Sequence, residues 1–100
     1  MCGIAGFLKK ESNRNQINLV LNQMNKSQIH RGPNSTNSYI NSSNQVGLIM
    51  CRLSILDLEL GIQPMTSKDG RYTIIFNGTI LNAPSLRKEL EKKKCKFFYK

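Results

Sequence analysis

The apolar residues of this chain occur in short segments that alternate between strand-like and helix-like spacing. Strands are predicted at 3–8, 46–53, 72–76 and 96–99, and helices near 15–28 and from 83 onward. Such a set can form a sheet with helices on one face, which leaves the other face open. The order therefore predicts an α+β fold of which this chain forms only a part, because an apolar strand near its end has no turn after it.

Polar residues and helix breakers mark where these elements begin and end. Ser12 or Asn13 is a candidate N-cap for the first helix, and Asn82 for the second, with Pro84 in its first turn. The segments 30–38 and 57–70 are rich in Gly, Pro, Ser, Asn and Asp, so we expect loops there.

Composition limits where such a chain can work. No apolar run among the 100 residues approaches the ~20 that a membrane helix needs, and the apolar N-terminal stretch precedes its lysines, unlike a secretory signal. A cytoplasmic location without membrane contact is therefore predicted. Three scattered cysteines (Cys2, Cys51 and Cys95) and one histidine suit neither a disulfide framework nor zinc, so we expect no metal site.

The formal net charge of +9 admits two interpretations. Lysines and arginines are frequent in 87–100, next to Phe97, Phe98 and Tyr99, which is a pattern found in nucleic-acid-binding proteins. Lysines are equally typical of a solvated helix end, where they oppose the negative pole of the helix dipole. The second interpretation is the commoner one, so we do not expect nucleic acid as a partner.

Cys2 is a candidate nucleophile because of its position. Removal of Met1 would leave a thiol and a free α-amine on one residue, and the amine can take the proton as the sulfur attacks. The alternative is a small buried cysteine without a chemical role, which is a common fate of free cysteine. Position alone favours that alternative.

Two further features could contribute to a site. Asn77 and Gly78 follow an apolar strand, where a side-chain amide and an unhindered N–H could hold an oxyanion. Asn-Gly is also a strong hairpin signal, with 72–76 and 79–81 as its strands. Arg52 ends an apolar strand and could bind a substrate carboxylate, or it could face water at a sheet edge.

Four segments occur in the order and spacing of a known family. These are MCGIAGF at the start, HRGPNS at 30–35, RLSILDLELGIQPM at 52–65 and IIFNGTILN at 74–82. Together they resemble class II glutamine amidotransferases. The long third segment is most similar to the asparagine synthetase branch of that family. The resemblance covers nearly the whole chain.

The resemblance implies an N-terminal-nucleophile hydrolase fold, an αββα sandwich of antiparallel sheets present here as its first half. Residues 1–100 would be a partial glutaminase domain, without the C-terminal synthetase domain. By analogy, Cys2 would attack the side-chain amide of glutamine and release ammonia, while Asn77 and the N–H of Gly78 hold the oxyanion. Arg52 would bind the α-carboxylate of glutamine, and Leu53, Ile55 and Thr79 would line the pocket.

The resemblance also implies partners and cofactors. The ammonia would pass to the synthetase domain, where ATP activates aspartate and asparagine forms. ATP and magnesium are expected only for that domain, and no cofactor is expected in this segment.

Some positions depart from the family pattern and keep alternatives open. Thr79 replaces a usual Glu, Leu81 a usual Tyr, Met50 a usual His and Asn34 a usual Asp. The chain could therefore be a degenerate, non-catalytic homologue or another class II amidotransferase. A small basic nucleic-acid-binding protein is the remaining alternative.

Overall fold

The computed structural model describes residues 2–53 and 62–95. A three-stranded antiparallel sheet is formed by β1 (Gly3–Leu8), β2 (Ser35–Ile40) and β3 (Val46–Arg52), in the order β1-β3-β2. A second, two-stranded antiparallel sheet consists of β4 (Met65–Thr66) and β5 (Thr73–Ile74). The helices are α1 (Arg14–Gln28), a 3-10 turn (Ile29–Arg31) and α2 (Ala83–Lys92). The predicted α+β class is confirmed.

The N-terminus of α1 is closed by a capping box. The Asn13 side chain accepts a hydrogen bond from the N–H of Gln16 at 2.9 Å, and the Gln16 side chain accepts one from the N–H of Asn13 at 3.3 Å. Two N–H groups that have no partner within the helix are thereby satisfied. Of the two predicted caps Asn13 is therefore confirmed, while Ser12 donates to the carbonyl of Asn44 instead.

The core lies between α1 and one face of the three-stranded sheet. Ile17 and Leu21 of α1 and Ile49 of β3 are almost completely buried, and Phe7 and Met24 pack around them. Burial of one such side chain contributes about 1.5–3 kcal/mol relative to exposure. The helical spacing of Ile17 and Leu21 predicted α1, and these same two side chains form the contact between α1 and the sheet.

The opposite face of the sheet carries a different set of residues. Ile49 and Cys51 face α1, so Met50 and Arg52 project to the other face by alternation. Both are buried, at 3% and 9% exposure. Because β3 is the central strand, the alternative in which Arg52 faces water at a sheet edge is wrong.

The sequence interpretation misplaced several boundaries. The segment 30–38 is not a loop throughout, because its second half belongs to β2. The strand expected at 72–76 shortens to β5, whose partner is β4. A turn with Gly70 at φ +77° lies between those two strands. The hairpin alternative centred on Asn77–Gly78 is therefore wrong, since 79–81 form no strand.

The second helix begins as predicted but without the predicted cap contact. Asn82 occupies the N-cap position and Pro84 lies in the first turn, yet the Asn82 side chain makes no capping hydrogen bond. The hydroxyl of Ser85 donates to the Asn82 carbonyl at 3.0 Å instead. The strand expected at 96–99 and the first part of the loop expected at 57–70 lie outside the described residues. The rest of that expected loop contains β4, so it is not a loop throughout.

Candidate functional site

The site is built around the main-chain carbonyl of Cys2. Cys2 precedes β1 directly and is half-buried. Its carbonyl oxygen accepts two hydrogen bonds, one from Nε of Arg31 and one from Nδ2 of Asn77, both at 3.0 Å. Three segments that are far apart in sequence therefore meet at the first peptide of the sheet.

The segment that carries Asn77 and Gly78 is held in place by its neighbours. The N–H of Phe76 donates to Oε1 of Gln63 at 2.6 Å. The ring of Phe76 lies against Gly78, so that a Cβ at this glycine would stand 2.9 Å from a ring carbon. Because glycine has no Cβ, the ring can lie this close to the chain at position 78.

The Asn77 amide is suited to serve two acceptors. A carboxamide nitrogen has two N–H donors. One of them is used for the Cys2 carbonyl. The second N–H on the same nitrogen is the kind of donor that a negatively charged oxygen would require if Cys2 attacked an amide.

Arg52 belongs to the same end of the sheet as Cys2. Gly3 pairs with Cys51 in the antiparallel ladder, and continuing this register by one residue places Cys2 opposite Arg52. Residues directly opposite in such a pair share a face of the sheet. Ala5 and Phe7 pack toward α1, so Cys2 and Arg52 both belong to the face away from that helix.

The segment after α1 closes over the end of β3. A Cβ on Gly32 would lie 2.6 Å from main-chain atoms of Cys51 and Arg52, so only glycine fits there. The N–H of Asn34 donates to the carbonyl of Arg52 at 3.0 Å. This packing brings Arg31, on the N-terminal side of Gly32, to the carbonyl of Cys2.

The structure brings together some of the predicted site residues. Cys2 and Asn77 are in direct contact, and Gly78 adjoins Asn77. Arg52 lies one residue beyond the last ladder pair, Gly3 with Cys51, at the end of the sheet where Cys2 begins the described chain. Leu53 and Thr79 are exposed, the former at 41%, and Ile55 lies outside the described residues. The roles of all these residues stay predictions.

The sequence interpretation missed Arg31, which donates a hydrogen bond to the carbonyl of Cys2. It belongs to the HRGPNS segment that carries part of the family resemblance, from which no role for this arginine follows. The Gly32–Pro33 pair after Arg31 marks a turn in the sequence, but no local pattern shows that this turn brings Arg31 to Cys2. His30, the neighbouring residue, is exposed.

The other cysteines differ from Cys2 in their surroundings. Cys51 is buried and its thiol donates to the carbonyl of Gln28 at 3.3 Å, while Cys95 is exposed.

Within 2–53 and 62–95, no three His, Cys, Asp or Glu side chains are grouped so that they could hold a metal ion. In the same residues, neither helix has the length and hydropathy needed to cross a membrane.

Comparison with known proteins places this geometry in context. Residues 1–99 match the family described as glutamine amidotransferase domain. The chain is 43% identical over 96 residues to asparagine synthetase [glutamine-hydrolyzing] 1 of Bacillus subtilis, which covers 93% of this chain and 15% of that protein. It is 38% identical over 90 residues to asparagine synthetase [glutamine-hydrolyzing] 1 of Saccharomyces cerevisiae, covering 89% of this chain and 15% of the relative.

A plant relative shows the same pattern at lower identity. Asparagine synthetase [glutamine-hydrolyzing] 1 of Arabidopsis thaliana is 31% identical over 94 residues, or 94% of this chain and 16% of the relative. The chain thus spans about 15% of the length of such relatives. No solved structure matches the chain.

Proposed function

The chain belongs to the glutamine amidotransferase domain family, and we propose on that basis that it forms part of a glutamine-hydrolysing site centred on Cys2. The observation that carries the proposal is the contact between Asn77 and Cys2. It brings the candidate oxyanion donor to the candidate nucleophile, although 75 positions separate them in sequence. Two residues proposed for one reaction on separate grounds are therefore neighbours.

The proposed reaction begins once Met1 has been removed. The α-amine of Cys2 accepts the thiol proton as Sγ attacks the carbon of the glutamine side-chain amide. The amide oxygen becomes negatively charged and accepts hydrogen bonds from Asn77 and the N–H of Gly78. The C–N bond then breaks, the amine returns its proton to the leaving nitrogen, and ammonia departs from a thioester. Water cleaves the thioester, which yields glutamate and restores the thiol.

The remaining predicted residues would bind the rest of the substrate. Arg52 is buried at the sheet end that carries Cys2, and a guanidinium can bind the α-carboxylate of glutamine through two parallel hydrogen bonds. We assign Leu53, Ile55 and Thr79 to the pocket around the substrate, as the family resemblance implies.

The fate of the ammonia belongs to a longer protein. The relatives named above are called glutamine-hydrolysing asparagine synthetases and are several times longer than this chain. We propose that the ammonia is consumed by a synthetase domain of that kind, with ATP and magnesium as reagents of that domain alone. The sandwich of two sheets is likewise a proposal for the complete glutaminase domain.

Intact mass measurement tests the proposed nucleophile. The expressed chain is weighed before and after exposure to an electrophilic glutamine analogue, and the labelled peptide is identified. We expect the loss of Met1 and one adduct, at Cys2. Cys2→Ala should abolish both the adduct and glutamate release and still fold, whereas Cys95→Ala, which removes the exposed thiol, should retain them. Undiminished glutamate release by Cys2→Ala would contradict the proposal.

A non-catalytic homologue is the second candidate. Thr79 and Met50 replace residues that are usual in the family, and Leu53 is exposed rather than enclosed. The second candidate would be favoured if Met1 is removed but neither the adduct nor glutamate forms. The same result is required for a longer chain that continues beyond residue 100, as the relatives do.

A further inference from the structure

We propose that Arg31 is a positioning residue, which holds the first peptide of the sheet so that the thiol of Cys2 faces the Asn77–Gly78 segment. The proposal deepens the proposed function and rests on it for its catalytic meaning. The contact that carries it is the hydrogen bond from Nε of Arg31 to the Cys2 carbonyl, at 3.0 Å between residues 29 positions apart.

The Cys2 carbonyl is fully occupied by protein donors. A carbonyl oxygen has two lone pairs, and Arg31 and Asn77 each donate one hydrogen bond to it. A hydrogen bond from a charged donor stabilises more than a neutral one, so Arg31 provides the stronger of the two restraints. If Asn77 turns toward an oxyanion during the reaction, the bond from Arg31 still keeps the carbonyl in place.

This restraint is strong because the other side of the same peptide is also fixed. Gly3 pairs with Cys51 in the ladder between β1 and β3. With Gly3 fixed by the sheet and the Cys2 carbonyl fixed by Arg31, the plane of the peptide between them cannot turn. A mature N-terminal cysteine then retains only its ψ and χ1 rotations, and these alone place the amine and the thiol.

Arg31 itself is held by the turn in which it lies. The N–H of Gly32 donates to the carbonyl of Ile29 at 3.2 Å, which closes the 3-10 turn after α1. Gly32 then packs against main-chain atoms of β3 at a distance that only glycine allows. Arg31 therefore projects from a turn that is fixed at both ends, and its side chain is half-buried.

Two substitutions distinguish the effect of losing the hydrogen bond from the effect of changing the volume of the side chain. In Arg31→Gln, Nε2 has the same number of bonds from Cα as Nε of arginine, so a donor remains at that depth. In Arg31→Met, a side chain of similar length has no donor. Arg14→Gln, at an exposed position in the first turn of α1, is the matched control.

The three cysteines allow the effect on Cys2 to be measured within one molecule. Cys95 is exposed and provides a reference rate of alkylation, and Cys51 is buried and reports loss of the fold. Alkylation by iodoacetamide is followed for each thiol by peptide mapping. This measurement needs no glutamine binding, so it remains valid if the proposed function is wrong.

We expect opposite changes for the two kinds of reagent in Arg31→Met. A charge-assisted hydrogen bond is worth about tenfold in rate or more, so adduct formation with the glutamine analogue and kcat for glutamate release should fall about tenfold. KM should stay within about twofold, because a positioning role gives Arg31 no contact with the substrate. Iodoacetamide should label Cys2 faster relative to Cys95, while Cys51 stays protected. Arg31→Gln, which keeps a donor without the charge, should lie between Arg31→Met and the natural chain, and Arg14→Gln should resemble the natural chain.

The outcomes distinguish this inference from the proposed function. If the natural chain neither releases glutamate nor forms the adduct, but Arg31→Met still changes the labelling of Cys2, the positioning role stands and the proposed function fails. If the natural chain is active and Arg31→Met leaves kcat and the labelling ratio unchanged, the positioning role is wrong.

A further variant covers the case in which Arg31→Met does not fold, which reactivity of Cys51 would reveal. Arg31→Lys keeps the positive charge but has a methylene where arginine has Nε. Faster labelling of Cys2 in a folded Arg31→Lys protein supports the proposal, and an unchanged labelling ratio overturns it.

Discussion

The side-chain amide of Asn77 donates a hydrogen bond at 3.0 Å to the main-chain carbonyl of Cys2, across a sequence separation of 75 residues. This contact joins the first peptide of the three-stranded sheet to the segment that follows β5. Ordering both partners of such a contact costs conformational entropy. The neighbours of both residues are held by hydrogen bonds, since Gly3 pairs in the ladder with β3 and the N–H of Phe76 donates to Gln63.

Replacement of Asn77 tests whether this contact belongs to a reaction. In Asn77→Ala the amide donors are lost, and removal of one oxyanion donor lowers kcat about 10²–10³-fold in other enzymes. We expect a decrease of that size in glutamate release, with a small change in KM. Asn82→Ala is the matched control, because the side chain of Asn82 makes no capping hydrogen bond. Equal rates for Asn77→Ala and Asn82→Ala would contradict the oxyanion role.

Elements that depend on local pattern were predictable from the sequence. β1, α1, β3 and the start of α2 follow from apolar spacing, an Asn cap and a proline in the first turn. β2 was not, because its first four residues are all polar and show no apolar alternation, and they form a strand by pairing with β3. The strand at 72–76 was overestimated for the converse reason, since its partner β4 pairs with only two residues.

The candidate site was predictable only in part. Cys2, Arg52 and Asn77 could be selected by residue type and by the resemblance, but no local pattern shows that Asn77 reaches the Cys2 carbonyl. The role of Gly32 was invisible as well, because its φ of −156° is open to any residue and only the contact with β3 demands glycine. Both features arise from packing between segments that are distant in sequence.

The turn between β4 and β5 should depend on pH through Asp69. The carboxylate accepts hydrogen bonds from the N–H of Arg71 and from the Ser67 hydroxyl, and these, with the guanidinium of Arg71, lower the Asp69 pKa below its ordinary value of 3.8. A folded-state pKa below the unfolded value gives stability that is present above the unfolded pKa and is lost as pH falls through the folded one.

Titration of the Asp69 carboxyl by NMR checks this direction. We expect a pKa below that of an Asp in an unstructured peptide, and a smaller shift in Ser67→Ala, which lacks one donor. Lys68→Ala is the matched control in the same turn. The effect on unfolding should be small, because the pair is exposed and screened by solvent. A pKa at or above the peptide value would contradict the assignment.

A methyl group at Gly32 should destabilise the fold and disturb the site together. In Gly32→Ala the new Cβ would meet main-chain atoms of Cys51 and Arg52, which cannot move aside as a side chain can. Overpacking of this kind costs about 1–3 kcal/mol of unfolding free energy. Denaturant unfolding measures the loss, and His30→Ala, at an exposed position of the same turn, should stay within about 0.5 kcal/mol of the natural chain. Equal stability of the two variants would contradict the packing argument.

Arg52 should determine affinity for the substrate rather than the rate of the chemical step. Arg52 is buried at the end of β3, beside the last ladder pair of Gly3 and Cys51, and its guanidinium is proposed to bind the α-carboxylate of glutamine. Arg52→Lys keeps the charge but loses the two parallel hydrogen bonds, a loss of about 1.5–3 kcal/mol that corresponds to a rise in KM of about 10–100-fold. The value of kcat should change little, because the carboxylate lies away from the scissile amide.

Protection experiments separate this role from a purely structural one. Glutamate, the product, should slow the labelling of Cys2 by iodoacetamide in the natural chain and far less in Arg52→Lys, while Cys51 stays protected in both proteins. An amide such as propionamide, which has no α-carboxylate, should protect both equally. If Arg52→Lys binds glutamate as well as the natural chain does, the α-carboxylate must be held by another residue, because a lysine ammonium cannot reproduce the paired geometry of a guanidinium.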